Sequence, residues 1–309
     1  MHSVFVPSVP PAFVREPELA LQVAHSEGDP LPTDVEEWLE DTLEVGQIQV
    51  PVLDAVASRL LQLCLDPESD LRQIASELAL DPSLTAEVLR LANSAAFGTR
   101  VAITTIDRAV AQLGSVRIRD IALVVACKDN VFSASEFAGL MKELYRHSVA
   151  TAFYARHVAA KQGIDRGTAF VCGLLHDVGW PVVLQLLDRY EREEGLRLGS
   201  AVKLKAAARY HERAGLVVSR KLPIEDLKIA LSEHHRPNSH APAAASVALA
   251  KVLAQPIAGW DALAGLPQDV EGLVVLAREL GLPLDLDSAK DLFEQHSSVA
   301  QVVLAFAGE

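Results

Sequence analysis

The sequence predicts an all-α protein built as a multi-helix bundle. Half of the 309 residues are hydrophobic and only 5% are aromatic, and a content dominated by Ala, Leu and Val suits packed helices better than stacked sheets. Apolar residues recur at helical spacing, and no alternating segment is long enough to require a sheet. A chain of this length can form one large domain or two ordinary ones.

The first half is predicted to be a set of short helices behind a Pro-rich arm. Residues 1–32 hold six of the 16 prolines, a density that helices and central strands do not tolerate, so they are predicted to be an extended arm. Five or six short helices are expected over residues 33–135. Thr33 to Glu36 matches a capping box, Asp81-Pro82 supplies a cap and a first-turn proline, and Thr104 or Thr105 caps a later helix.

The second half is predicted over residues 136–255, after a boundary at about residues 130 to 137. A long helix is expected from Glu136 to about Gln162, because apolar residues form one stripe along it. Five more helices follow, at Thr168–Leu175, Val182–Glu193, Lys203–Ala214, Glu225–His234 and Ala243–Leu253. Residues 256–309 form a C-terminal tail in which two helices are predicted, the last starting near Asp287.

Charge and cysteine content exclude some classes of function. The chain has 28 basic and 41 acidic residues, a formal net charge of −13, and it lacks the basic footprint of a nucleic-acid binder. Cys64, Cys127 and Cys172 are far apart in apolar surroundings, which is typical of reduced thiols in a cytosolic protein. No leader-like start and no uncharged run near 18 residues is seen. We therefore expect a cytoplasmic protein without a membrane partner.

The segment from Gly173 to Gly179 carries the adjacent pair His176-Asp177, and further histidines occur at His147, His211, His234 and His235. Neutral imidazole and carboxylate are good ligands for divalent transition metals. Adjacent residues on a regular helix diverge by about 100°, but at a helix end both can face one ion. The alternative is a buried pair in which the carboxylate orients the imidazole and both satisfy backbone groups.

These motifs resemble a known family. The spaced His, the adjacent His-Asp and the helical setting of the second half resemble the HD superfamily of metal-dependent phosphohydrolases. The first half resembles the HDOD family within that group, through Asp81 to Thr85, the Asn-Ser-Ala-Ala-Phe segment within Leu91 to Gly98, and Ile106 to Gly114. The resemblance covers roughly residues 45 to 255 and implies a short-helix half packed on an HD-like helical half.

The resemblance implies a ligand set and also shows where this chain departs from it. It assigns the first histidine to His147 and the paired ligands to His176 and Asp177, while His211, His234 and His235 match the extra histidines of binuclear HD-GYP relatives. The distant Asp is expected in an Ala-Asp pair, where this chain has Ala250-Lys251. An ammonium has no lone pair to offer a metal. The Gly-Tyr-Pro motif expected after the paired histidines is also missing, so the site is expected to be degenerate.

Two functions are compatible with this pattern. The first is a non-catalytic bacterial signal-transduction module that works through contacts with signalling proteins such as kinases, response regulators or cyclic di-GMP enzymes. The second is a metal-dependent phosphohydrolase or phosphodiesterase, in which bound Mn, Fe, Zn or Mg would activate a water molecule. The loss of the distant Asp and of Gly-Tyr-Pro favours the first, and the six retained metal-ligand candidates favour the second.

Overall fold

The computed structural model describes residues 30–46, 55–66, 69–98, 101–132, 136–220, 225–233, 242–258 and 269–308. Within these ranges the chain forms α-helices and one short 3-10 turn, and no strand, so the predicted all-α fold is confirmed. The helices are α1 (Thr33–Val45), α2 (Ala55–Leu65), α3 (Leu71–Leu78), α4 (Pro82–Ala92), α5 (Ile106–Leu113), α6 (Ser115–Val131), α7 (Ala138–Gln162), α8 (Arg166–Leu175), α9 (Gly179–Glu194), α10 (Ser200–Ser219), α11 (Glu225–Glu233), α12 (Pro242–Ala258), α13 (Val270–Glu279), α14 (Leu286–Glu294) and α15 (His296–Ala307).

Two of the three helix caps predicted from the sequence are present. The Asp81 carboxylate accepts the N–H groups of Ser83 and Leu84 at 2.9 and 3.0 Å, and Thr105 caps α5. The capping box predicted at Thr33 is wrong, because α1 follows Pro32 and no side chain caps it. A capping box is formed instead at the start of α3, where the side chains of Asp70 and Gln73 each accept a backbone N–H of the other residue. Most of the arm predicted over residues 1–32 lies outside the described residues.

Replacing Asp81 with alanine is expected to lower the free energy of unfolding by about 1 kcal/mol, since two N–H groups at the start of α4 lose their acceptor. Chemical denaturation of both proteins measures the difference. Asp107 is an exposed acidic residue in the first turn of α5 that caps nothing, so Asp107→Ala is the control. Equal losses in the two variants would contradict the capping role.

Helix α7 is the centre of the molecule. It packs most extensively against α8 and α12, while α9 packs against α10 and α6 packs against α2, α4 and α5. Arg156 of α7 forms a two-pronged ion pair with Asp120 of α6, which joins the two halves. Helix α1 lies against the second half, where Trp38 packs on Tyr190 with ring centroids 5.2 Å apart. The Tyr190 hydroxyl donates to Asp34 at 2.8 Å.

The tail has three described helices, α13 to α15, so the prediction of two is wrong. Helices α14 and α15 meet at Gln295, which ends one and precedes the other, and no glycine or proline marks the break. Helix α15 packs against α7 and the 3-10 turn Ala95–Phe97. Phe306 lies between Phe97 and Phe153, with ring centroids 6.5 and 6.4 Å away. The tail therefore contacts both halves.

One described segment, Arg166–Glu194, is long and apolar enough to cross a membrane by composition, but 94% of its most apolar window is buried inside the fold. It comprises α8 and α9, which pack against other helices. A core position explains its apolar character. Cys127 and Cys172 are buried and form no disulfide within the described residues, as predicted, whereas the side chain of Cys64 lies outside the described part of the structure.

Candidate metal site at the histidine cluster

Gly173 lets α8 approach α7 closely. A Cβ atom on this residue would lie 2.8 Å from the Cα of Ala152 and 2.9 Å from the carbonyl oxygen of Thr151, both closer than normal packing allows. This contact brings the C-terminal end of α8, which carries His176, against the middle of α7, which carries His147. The sequence offers no second signal for this role, because a helix-interior glycine has several explanations.

His147, His176 and Asp177 converge as predicted. One ligand atom from each lies within 4.8 Å of the other two. The side chains are almost fully buried, with exposed fractions of 1%, 1% and 5%, and the two imidazole rings meet edge to face with centroids 5.3 Å apart. Residues that are neighbours in sequence can share the cluster because the α-helix ends at Leu175.

Backbone carbonyls determine which ring nitrogen carries the proton in two of the histidines. A carbonyl oxygen can only accept a hydrogen bond, so His176 donates its Nδ1–H to Gly173 at 2.8 Å and His211 donates its Nδ1–H to Ala208 at 2.7 Å. The lone pair of each neutral ring is then on Nε2, the arrangement usual for a metal-ligating histidine. His176 Nε2 lies 2.9 Å from Asp177 Oδ2, so a proton or a metal cation between them would relieve the repulsion of two lone pairs.

His211 borders the cluster without being one of the three converging residues. The Cα of His211 lies 2.8 Å from the position that a Cβ on Gly179 would take, so α9 and α10 touch through this glycine. The Trp180 ring packs on the imidazole with centroids 5.4 Å apart. Burial lowers the pKa of His211, and the nearby Lys251 and His176 lower it further, against the opposing charge of Asp177.

Lys251 lies near the cluster, as the resemblance implied. It is a partly buried residue of α12. Burial lowers the pKa of its ammonium, while the charges of Asp177 and Glu212 act in the opposite direction. The same cation acts on His211. Position 251 therefore places a lysine amine, where the resemblance expects a carboxylate, near the residues that would otherwise hold a metal ion.

Two of the six predicted ligands cannot be placed. His234 and His235 lie outside the described residues, just beyond the end of α11. The described structure brings together three of the predicted ligands, His147, His176 and Asp177, with His211 beside them. The assignment of His234 and His235 stays a prediction.

The donor set fits a metal ion only in part. Two imidazole nitrogens and one carboxylate suit Mn, Fe or Zn better than Mg, which prefers an all-oxygen shell. The buried, carbonyl-oriented rings fit such an ion. The neighbouring Lys251 does not, because an ammonium repels a cation and offers it no lone pair.

Comparison with known proteins identifies the family. The family model for the HDOD domain matches residues 50–218, more than half of the chain. The chain belongs to the HDOD family. The matched range includes His147, His176, Asp177 and His211, and it ends before Lys251.

Two solved structures share the fold of this HDOD protein at low sequence identity, and one curated protein matches its sequence. A candidate phosphohydrolase from Shewanella amazonensis SB2B has a TM-score of 0.65 at 22% identity, covering 92% of this chain and 99% of its own. An HDOD domain protein of unknown function from Geobacter sulfurreducens has a TM-score of 0.64 at 22% identity, and the match covers 87% of this chain and 98% of that protein. An uncharacterised protein from Treponema pallidum (strain Nichols) is 20% identical over 258 residues, 79% of this chain. The chain matches about half the length of that curated relative.

A second polar cluster was missed by the sequence analysis. Lys203 of α10 is only 1% exposed, and its ammonium donates to Glu136, Asp188 and Glu191 at 2.6, 2.9 and 3.0 Å. The available signal was a lysine on the apolar face that contains Ala206, Ala207 and Tyr210. The cluster joins the start of α7 to α9 and α10.

Proposed function

We propose that this HDOD protein is a non-catalytic cytoplasmic signal-transduction module that acts through protein contacts. In this proposal the histidine cluster is a degenerate HD site that serves as a buried polar core. The observation that supports it most directly is Lys251, a partly buried cation of α12 that acts on Asp177 and His211. The family match and the shared fold support the wider assignment to an HD-related module.

The electrostatics of the cluster support this assignment. A hydrolytic site of this kind needs a metal ion that holds and polarises a water molecule. The described residues offer three converging ligand atoms for it, and the cation at position 251 raises the electrostatic cost of adding a second positive charge in a buried setting. Lys251 can instead balance Asp177 without a metal.

A Lys251→Asp substitution is expected to raise metal uptake, because it removes a repelling cation and adds a carboxylate ligand. Purified wild type should hold well under one equivalent of Mn, Fe or Zn after incubation and desalting, and the variant about one ion per chain. Elemental analysis measures both. The double variant Lys251→Asp, His176→Ala should lose the added metal.

Lys228→Asp is the matched control, because Lys228 is an exposed lysine on α11 paired only with Glu225 at 3.4 Å among the described residues. It makes the same change of net charge away from the cluster and should leave the metal content unchanged. Stoichiometric metal in the wild type, lost in His176→Ala, would contradict the metal-free polar core of this proposal and would leave a catalytic or a metal-sensing site. No gain in Lys251→Asp would contradict the placement of Lys251 in the site.

The second candidate function is a metal-dependent phosphohydrolase. It is favoured by the convergence of His147, His176 and Asp177 and by the carbonyl-oriented ring of His176. These residues would hold the ion, which would supply an activated water molecule for attack on a phosphate ester. Wild-type protein supplied with Mn, Fe, Co or Zn should hydrolyse neither nucleotides nor generic phosphodiesters if the first proposal holds. Hydrolysis that is abolished in His176→Ala would establish the second.

The proposed partners are signalling proteins such as histidine kinases, response regulators or cyclic di-GMP enzymes. The net charge of −13 favours solubility and does not choose among them. Capture of partners by the tagged full chain from its native cytosol, followed by mass spectrometry, tests this assignment. Signalling proteins should be enriched over a capture with an unrelated tagged protein of similar charge, and enrichment of none of these classes would count against it.

A further inference from the structure

A cavity of about 320 Å³ lies where the two halves of the molecule meet, away from the histidine cluster. Its walls come from α6 of the first half and from α7 and α8 of the second, with Asp66 beyond the end of α2. This volume is at the lower end of the range for small-molecule sites. A ligand bound there would touch both halves at once.

One wall of the cavity is apolar. Val116 and Leu123 of α6 face it, together with Phe170 and Val171 of α8. Val116 has 51% of its surface exposed, so an apolar ligand group placed on this wall would remove hydrocarbon surface from water. Phe170 is only 1% exposed, and the Arg156 guanidinium lies 4.5 Å from the centroid of its ring. Val116 is therefore the apolar side chain of this wall that a ligand can reach.

The other wall is charged, and its carboxylates already have roles in the fold. Asp120 is held by Arg156 through two hydrogen bonds. Asp165 caps α8 by accepting the N–H of Thr168 at 2.6 Å, and this hydrogen bond helps to lower the pKa of its carboxyl group against the effect of burial. Asp120 is therefore neutralised by Arg156, while the lowered pKa of Asp165 keeps its carboxylate charged beside the further cation of this wall.

Arg166 supplies that further cation. It is an exposed residue that lines the cavity, and within the described ranges no ion pair or hydrogen bond engages its guanidinium. A guanidinium presents a planar fork of donors that matches the two oxygens of a carboxylate or phosphate. A ligand for this cavity would thus combine an apolar group with an oxyanion.

We propose that this cavity, named here the inter-half cleft, binds a small organic anion that has an apolar group and a carboxylate or phosphate group. The apolar group packs on Val116, and the oxyanion pairs with Arg166. Because α6 and α8 both contribute, binding stabilises the described arrangement of the two halves. This site goes beyond the signalling role proposed above and does not depend on the state of the histidine cluster.

A fluorescence titration of the full chain with 8-anilinonaphthalene-1-sulfonate, an aromatic sulfonate, tests the inter-half cleft. We expect saturable binding at one site. Arg166→Glu is expected to weaken it at least tenfold, about 1.4 kcal/mol, because the substitution replaces the paired cation with an anion. Val116→Asp, at an exposed position that should not disturb folding, is expected to weaken it as well. Circular dichroism confirms that each variant is folded.

Arg117→Glu is the matched control. Arg117 is an exposed residue of the same helix α6 and does not line the cleft, so binding should stay within twofold of the wild type. Equal weakening by Arg166→Glu and Arg117→Glu, or binding without saturation, would overturn the proposal, since the probe would then be reporting net charge or general apolar surface.

Displacement of the same probe identifies the oxyanion. Displacement by adenosine monophosphate but not adenosine indicates a phosphate, and displacement by 4-hydroxybenzoate but not phenol indicates a carboxylate. Displacement by both acids supports the shared chemistry. If the neutral compounds displace the probe as well as the acids do, or if nothing displaces it, the oxyanion assignment is wrong.

Discussion

A Gly179→Ala variant is expected to lose about 3 kcal/mol or more of the free energy of unfolding. The new Cβ would lie 2.5 Å from the carbonyl carbon of His211 and closer still to its oxygen. Both partners are backbone atoms of buried helices, so no side chain can rotate away. Helices α9 and α10 would have to separate, and the His211 ring would move with its backbone. Urea denaturation measures the loss.

Gly199→Ala is the control for this substitution. Gly199 has φ near −66°, which any residue can adopt, and a Cβ there would meet no atom within 4 Å. A loss of no more than about 1 kcal/mol is expected, because Gly199 is the N-cap of α10, where alanine is less favourable than glycine. A Gly179→Ala protein as stable as Gly199→Ala would show that the two helices are not in the contact described.

A Lys203→Met variant is expected to lose about 3 kcal/mol, because the buried Glu191 loses its buried cation and keeps only the exposed Arg197 at 3.3 Å. Glu191 is 5% exposed and also accepts the N–H of Leu198 at 2.6 Å. The expected loss is at the low end for a buried pair, since the side chains of Glu136 and Asp188 are each 40% exposed and water screens their charges. Thermal and urea denaturation measure the difference from the wild type.

Lys228→Met is the matched control for Lys203→Met, because its pair with Glu225 is exposed on both sides. A change within about 0.5 kcal/mol is expected there. If the two variants lose the same stability, the buried Lys203 cluster contributes no more than a surface ion pair.

The Lys203 cluster also determines a pH range of stability. Burial acts to lower the pKa of Lys203, but its three carboxylate partners raise it overall. The contribution of Lys203 to the free energy of unfolding is therefore complete below about pH 10, and it is lost as pH rises through the raised pKa. Burial acts to raise the pKa of Glu191, but Leu198 and Lys203 lower it overall. Its contribution is present above about pH 4 and is lost as pH falls through the lowered value.

Local patterns in the sequence predicted most helices and their starts. The apolar stripe predicted the long helix α7 to within two residues at its start, and short polar side chains predicted the caps at Asp81 and Thr105. These signals succeed because capping and helical periodicity depend on residues a few positions apart. The missed break at Gln295 has no such local mark.

Long-range placement was less accessible to sequence reasoning. Helix α1 was predicted as part of the first half, yet it packs on Tyr190 of the second. The inter-half cleft joins Val116 to Phe170, which are 54 positions apart in the chain, and was not predicted. The resemblance supplied the histidine set, but it did not identify Lys203 and its partners.

The sequence by itself determined that this protein is a helical member of the HDOD family, because helical periodicity, caps and short motifs are properties of neighbouring residues. Only the tertiary structure decided that Gly173 and Gly179 set the distances between the histidine-bearing helices. It also decided that Lys251 interacts electrostatically with Asp177 and that Lys203 donates hydrogen bonds to three carboxylates. The physical reason is that steric contact and electrostatic interaction depend on distance in space, which helix packing determines.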